Sequence, residues 1–388
     1  MREAEAMALL VSAKGVSYGR REMALRAAGS ALAVVQNPGA YAAQLSDEGA
    51  AAVRRNARDA ERYLERLHRD GVHLIVRGGE GYPERLMQAA RPPQLLFCWG
   101  KADLCDPFPL AIVGTRGASS YGLRHTRAIA RELAGAGMCV ISGLAVGIDA
   151  AGHMGALDAG GRTVAVLGGA LDRFYPAENR ALMRQILDMG GSVVTEYPMG
   201  VPPSRYSFLE RNRIVAGLAL GVLVTEGPRR SGALRTAQDA LDEGREVFAL
   251  PGDVDSEGSQ LPNRLIAEGA HLVTCAQDIL DMLVIEPRVG MTNAAGIPGS
   301  REAPGRSGEK ASGDARRKSA PRLPPDLGEQ ERAVFQALAC GDQDFDAICA
   351  ATAISPGELG TLLMMMELDG YIEALAGCRY ALSREMRA

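Results

Sequence analysis

The residues best suited to chemistry lie in three glycine- and hydroxyl-rich turns and in one cluster of arginines and aromatics. Val113-Gly114-Thr115-Arg116-Gly117-Ala118-Ser119-Ser120-Tyr121-Gly122 follows an apolar run and opens a helical pattern. Free backbone N–H groups and the positive end of a helix dipole make such a turn an anion site, and Arg116 adds a full charge. Its glycines at 114, 117 and 122 fit neither the dinucleotide fingerprint nor the P-loop, so NAD and ATP lack their usual support. Taken alone, the loop also fits an ordinary strand-to-helix turn with an exposed arginine. In the second turn, Ser142 to His153, Gly143 and Gly147 allow close backbone approach, Asp149 suits the first turn of a helix, and His153 reads as a packed helix residue. No nucleophile is paired with a base. The third turn, Gly227 to Ala237, offers Ser231 as an N-cap and a further anion-friendly helix start.

The cluster is Ser204-Arg205-Tyr206-Ser207-Phe208-Leu209-Glu210-Arg211-Asn212-Arg213, with three arginines and two aromatics in ten residues. Stacking on bases and pairing with phosphates use this mixture. In a helical continuation Arg205, Phe208 and Asn212 share one side, whereas Arg211 and Arg213 point elsewhere, toward internal ion pairs. A capped, solvated helix start is the plainer alternative.

The elements that must hold these turns alternate along the middle of the chain. Apolar runs at Leu110–Val113, Met138–Ile141, Thr163–Leu167, Ser192–Thr195, Gly221–Thr225, Glu246–Leu250 and His271–Val273 are separated by helical segments. This predicts an α/β fold with a doubly wound parallel sheet, whose functional loops lie at the carboxyl ends of the strands. Residues 1–70 read as a small helical domain with breaks at Gly15, Gly29 and Pro38-Gly39, and residues 71–286 as the sheet domain. Residues 287–325, dense in Pro, Gly, Ser and basic side chains, read as a disordered linker. In residues 326–388, helices over Glu329–Leu338, Asp346–Ala353 and Ser355–Asp369 precede short strands near Tyr371–Glu373 and Cys378–Ala381, a winged-helix-like order.

Composition excludes several classes. The 388 residues are 47% hydrophobic and 23% charged, without a collagen period or heptads, so the chain is globular. The longest apolar run, Ile214 to Val224, is too short for a bilayer and the N-terminus lacks a secretory pattern, so the expected location is the cytoplasm with no membrane partner. Seven scattered cysteines and five dispersed histidines form no metal-ligand spacing, so no metal and no cofactor are expected. Residues 326–388 carry 4 Lys+Arg against 11 Asp+Glu. Ser355 to Asp369, the segment that would read a duplex, holds no basic residue, so a protein-contact role is expected of this domain.

The motifs, taken in order, resemble a known family. Val113-Gly114-Thr115-Arg116, Ser142-Gly143-Leu144-Ala145, Gly147-Ile148-Asp149, Gly169-Ala170-Leu171-Asp172, Tyr175-Pro176, Asn179, Arg211-Asn212-Arg213-Ile214, Ser231-Gly232-Ala233-Leu234 and Val247 to Gly252 closely resemble the DNA-processing protein DprA (Smf) family. Gly81-Tyr82-Pro83 and Pro92 to Phe97 extend the match toward the N-terminus. The resemblance implies a SAM-like helical domain joined to an extended Rossmann-like fold. It implies a non-enzymatic homodimer that binds and protects single-stranded DNA and loads RecA recombinase during natural transformation. Carried onto this chain, Arg116 and Arg205 would hold phosphates, Ser119 and the Gly143 backbone would line the pocket, and Phe208 and Asn212 would contact bases. Arg213 completes the candidate set.

Three positions depart from the family pattern: Val146 replaces a basic residue, Arg235 an apolar one, and Gln260-Leu261-Pro262-Asn263 a glycine-threonine-asparagine run. Arg235 is expected to restore the charge lost at Val146 if it faces the same loop, and family dimers form near the late helix around Leu265 and Ile266. The competing enzyme reading is a Rossmann-like nucleotide-binding hydrolase of the phosphoribohydrolase type. It expects a proline-glycine-glycine run followed by a carboxylate, which Pro251-Gly252-Asp253 and Ser231-Gly232-Ala233 do not supply.

Overall fold

A computed structural model describes residues 1–283, 328–339, 343–352, 354, 359, 362, 363, 366, 371–375 and 379–383. They belong to two compact units, one within Met1–Gly296 and one within Ile297–Ala388. The expected linker at 287–325 and most of the expected helix at 355–369 lie outside the described residues.

The first unit begins with six helices: α1 (Glu3–Val11), α2 (Tyr18–Ala28), α3 (Ala31–Gln36), α4 (Ala42–Leu45), α5 (Asp47–Arg58) and α6 (Ala60–Arg69). Serine caps set the starts of α2 and α3, Ser17 accepting from the Arg20 N–H and Ser30 from the Ala33 N–H, and Gly29 ends α2 at φ 75°. Two strands then appear that the alternation of the sequence does not announce, β1 (His73–Val76) and, after the short α7 (Glu84–Met87), β2 (Leu95–Gly100). They pair with each other antiparallel, and β2 pairs antiparallel with β6.

The seven expected strands follow: β3 (Pro109–Val113), β4 (Cys139–Ser142), β5 (Thr163–Val166), β6 (Ser192–Thr195), β7 (Gly221–Val224), β8 (Glu246–Ala249) and β9 (His271–Leu272). Between them run α8 (Ser120–Gly135), α9 (Ile148–Asp158), α10 (Arg180–Asp188), α11 (Arg205–Leu218), α12 (Gly232–Asp242) and α13 (Gln260–Ala267), and α14 (Ala276–Met282) closes the unit. The sheet order is β1-β2-β6-β5-β4-β3-β7-β8-β9, with β3 to β9 all parallel. β3 is buried throughout because helices cover both faces. Leu110 and Ile112 pack with Ile129 and Leu133 of α8, while Ala111 and Val113 pack with Ile214 and Val215 of α11. A third cluster joins Leu9 and Leu10 of α1 to Leu95 and Phe97 of β2, so the helical layer and the sheet share one core.

The second unit contains α15 (Glu329–Ala339), β10 (Gln343–Asp344), α16 (Phe345–Thr352), β11 (Ile372–Leu375) and β12 (Arg379–Leu382). Its antiparallel sheet has the order β10-β12-β11. Val334, Phe335, Ile348, Leu363 and Met366 form its core, which places the last residue of the Met364–Met366 run inside the winged-helix-like unit.

Candidate nucleic-acid interface

The chain runs from β3 outward through β4, β5 and β6, then returns to the other side of β3 with β7. That reversal opens a crevice beyond the carboxyl ends of the strands, where ligands of doubly wound sheets bind. A cavity of about 710 Å³ occupies this place, walled by the turns after β3, β4 and β7 and by the start of α11.

The β3 turn is held from below by Glu226, which is 4% exposed. Its carbonyl accepts from the Thr115 N–H at 2.7 Å and its carboxylate from the Ser119 N–H at 2.8 Å. A Cβ at Gly122 or Gly258 would strike that carboxylate, so both glycines are dictated by it. The loop is thereby fixed with Arg116 projecting outward, its guanidinium 5.1 Å from the centre of the Phe208 ring. Stacked in this way, Arg116 keeps its charge available at the cavity mouth.

Beneath it lies Arg211, 5% exposed, whose Nη1 donates to the carbonyls of Gly143, at 2.8 Å, and Val166. Its Nε donates to Asn212 Oδ1 at 3.1 Å. Burial holds its pKa below the usual arginine range, and Asp149 opposes that shift. Burial raises the Asp149 carboxyl, while Arg211 and hydrogen bonds from the Gly143 and Ala145 N–H groups act the other way. Gly143 is obligatory because a Cβ there would run into the Arg211 guanidinium. Gly147, at φ 84°, is obligatory because a Cβ would meet the carbonyls of Thr115 and Arg116. Leu144, a non-glycine at φ 54°, is kept in that strained conformation by complete burial and by Asn179 Nδ2 donating to its carbonyl.

Two helix N-termini open onto the same space. Ser204 caps α11 by accepting from the Ser207 N–H, and Ser231 caps α12 by accepting from the Ala233 N–H. Ser204, Arg205, Ser231 and Gly232 all line the cavity, and Asp149 is the one carboxylate among its lining residues. Three guanidinium groups, two helix dipoles and one carboxylate make the site net attractive to phosphate.

Of the seven candidate residues, Arg116, Gly143, Arg205, Phe208 and Asn212 come together on this cavity. Ser119 is instead the N-cap of α8, accepting from the Gly122 N–H at 3.1 Å. Arg213 points to the far side of α11, where it pairs with Glu196 and donates to the Arg91 carbonyl. Arg235 does not make up for Val146, because it lies on α12 in an ion pair with Asp239 at 2.8 Å and is absent from the cavity wall. Val146 lines a side recess with Arg116, Tyr175 and Phe208. Leu265 is core, 4% exposed, and Ile266 packs partly buried against the same cluster. Asn263 closes the altered turn by exchanging two hydrogen bonds with the Gly252 backbone.

Sequence reasoning missed Tyr175, Arg211 and Glu226 as parts of the site. Tyr175 is 51% exposed, and its ring lies 5.9 Å from that of Phe208 at an interplanar angle of 48°. An exposed aromatic beside Pro176 was the available signal. Glu226 had none, since its partners are more than a hundred residues away in the chain.

Fold and crevice together define a Rossmann-like protein with an arginine- and aromatic-lined cavity at its switch point. The family model for DNA recombination-mediator protein A matches residues 73–284, and the model for the DprA winged helix domain matches residues 318–378. The chain belongs to the DprA (Smf) family. It is 44% identical over 217 residues to Protein Smf of Escherichia coli, covering 56% of this chain and 58% of that protein. It is 34% identical over 335 residues to Protein Smf of Synechocystis, covering 84% of each. The crystal structure of DprA from Streptococcus pneumoniae matches with a TM-score of 0.61 at 33% identity, covering 72% of this chain and 98% of that one. DNA processing protein A of Helicobacter pylori, a structure reported for its single-stranded DNA binding mode, matches with a TM-score of 0.50 at 30% identity. That match covers 55% of this chain and 95% of the other.

Proposed function

We propose that this protein binds single-stranded DNA in the crevice above β3, β4 and β7, protects it, and loads RecA recombinase onto it during natural transformation. The observation that carries the reading is the Arg116–Phe208 stack at 5.1 Å over a cavity whose walls hold three arginines. Exposed rings beside guanidinium groups serve unpaired bases, whose faces a duplex conceals. Arg116 and Arg205 hold phosphates, Phe208 receives a base, and Asn212 keeps one amide N–H for a base edge while the other serves the Gly232 carbonyl. No chemical step is assigned to the site, because its lining offers a single carboxylate and no nucleophile–base pair. The RecA step rests on membership of a family described as recombination mediators. The protein acts as a homodimer in the cytoplasm in this reading; among the described residues no helix is long and apolar enough to cross a membrane.

RecA assembly on single-stranded DNA, followed with and without the protein, tests the reading alongside nuclease protection of the same strand. Faster RecA assembly and slower digestion are expected, both lost in the Arg116→Ala, Phe208→Ala variant. Unchanged RecA assembly with intact DNA protection would remove the loading step and leave the binding.

A further inference from the structure

Helix α11 separates two cavities, and only the first has so far been given a role. The second, of about 300 Å³, lies between α11 and the N-terminal helical layer and is bounded by Lys14, Tyr18, Arg21, Arg91, Tyr197 and Tyr206. On α11, Arg205, Phe208, Leu209 and Asn212 face the first cavity while Tyr206 and Glu210 face the second. Arg205, Leu209 and Tyr206 therefore form a ridge between them, and all three are exposed, Tyr206 by 69%. The two cavities stand apart by roughly one helix diameter, about 10–12 Å.

The second cavity repeats the chemistry of the first. Its two carboxylates are both in ion pairs, Glu196 with Arg213 and Glu210 with Arg91 at 2.5 Å. Lys14 is exposed and in no ion pair among the described residues. Arg21 uses Nε on Gln94 and Nη1 on the Val16 carbonyl, both at 2.7 Å, and makes no close ion pair among the described residues, although the Glu196 and Glu22 charges act on it from further off. Its Nη2 makes no hydrogen bond among the described residues, which leaves donors in the cavity wall without a protein acceptor. Arg91 lies over the Tyr18 ring at 5.3 Å, the same cation-on-ring arrangement as Arg116 on Phe208. Tyr206 presents its ring to solvent at the rim of this cavity, 69% exposed.

We infer that the second cavity is a further single-stranded DNA subsite: a strand seated on Arg116 and Phe208 crosses the Arg205–Leu209 ridge, stacks a base on Tyr206 and places a phosphate between Lys14 and Arg21. This rests on the single-strand reading of the first cavity and adds a length requirement to it. A strand just long enough for the first cavity gains nothing from the second, and a longer one engages both.

The test uses the full chain with oligothymidylates of about 4 and about 16 nucleotides, the range of single-strand site sizes. The substitutions are Lys14→Ala and Tyr206→Ala, both at exposed side chains outside the first cavity. The expected result is unchanged affinity for the short strand and affinity for the long strand reduced about five-fold or more by Tyr206→Ala. Lys14→Ala is expected to make the salt dependence of the long strand shallower by about one unit. Variants that bind both lengths as the parent does would overturn the second subsite while leaving the first intact. If the unaltered protein binds neither length, the single-strand reading itself fails, and Arg116→Ala separates the cases because it weakens both lengths when that reading holds.

Discussion

Arg116 and Arg211 show how two guanidinium groups in one crevice acquire different duties. Arg116 stands exposed on the Phe208 ring and is free to meet a phosphate; Arg211 is sealed under the floor and committed to two carbonyls. Gly143 is the hinge of that division. Gly143→Ala is expected to expel the Arg211 guanidinium from its seat, lowering stability by about 1–3 kcal/mol as an overpacked core does and weakening DNA binding; urea unfolding and fluorescence anisotropy check both effects. Val146 points to the opposite change. It lines the recess beside Arg116 and Tyr175, so Val146→Lys is expected to tighten single-strand binding and steepen its salt dependence by about one unit. Unaltered affinity and slope would show that the recess does not meet a phosphate. At this scale glycine turns and helical spacing, both local signals, singled out Arg116, Gly143, Arg205, Phe208 and Asn212, which the fold gathers on one cavity. Ser119 caps α8 and does not line that cavity, and helical phase turns Arg213 to Glu196.

At the scale of elements, the parallel strands were legible from their continuous apolar runs, but β1 and β2 were not. His73–Val76 and Leu95–Gly100 interrupt no helical alternation and pair antiparallel at the edge of the sheet, a partnership that only the long-range register of β2 with β6 reveals. Helix α9 carries a prediction of its own. His153 is fully buried, its Nδ1 against Thr163 Oγ1 at 2.7 Å and its Nε2 without a partner. Burial, aided by the nearby Arg211 charge, lowers its pKa from 6.5 to about 3. Protons therefore bind the unfolded chain more readily than the folded one, so this contribution to stability is present above pH ~6.5 and is lost as pH falls toward ~3. Stability should drop by about 2 kcal/mol between neutral pH and pH 5 from this group alone. Urea midpoints recorded across that range should decline for the parent protein, and the decline should be smaller for His153→Gln. A parent profile that is flat down to pH 5 would contradict a buried, neutral imidazole.

Over the whole molecule, charge separates the two units. The cavity on the first unit gathers arginines within a chain of formal net charge −4, and residues 326–388 contribute an excess of seven acidic side chains. An excess of acidic side chains weighs against duplex binding by that unit and is consistent with the proposed recognition of single strands in the crevice. Fold class, family and the position of the crevice all followed from the order of motifs along the chain. The second cavity did not, since Lys14, Arg21 and Tyr206 meet only through packing of the helical layer on α11. Single-strand and duplex DNA affinities measured against salt concentration decide whether the crevice binds single strands. The comparison sets the parent protein beside the Arg116→Ala, Arg205→Ala variant. Selective single-strand binding is expected, with a negative log–log slope that becomes shallower by roughly one unit for each arginine removed. Equal affinities and equal slopes for the two proteins would contradict it and place the DNA elsewhere.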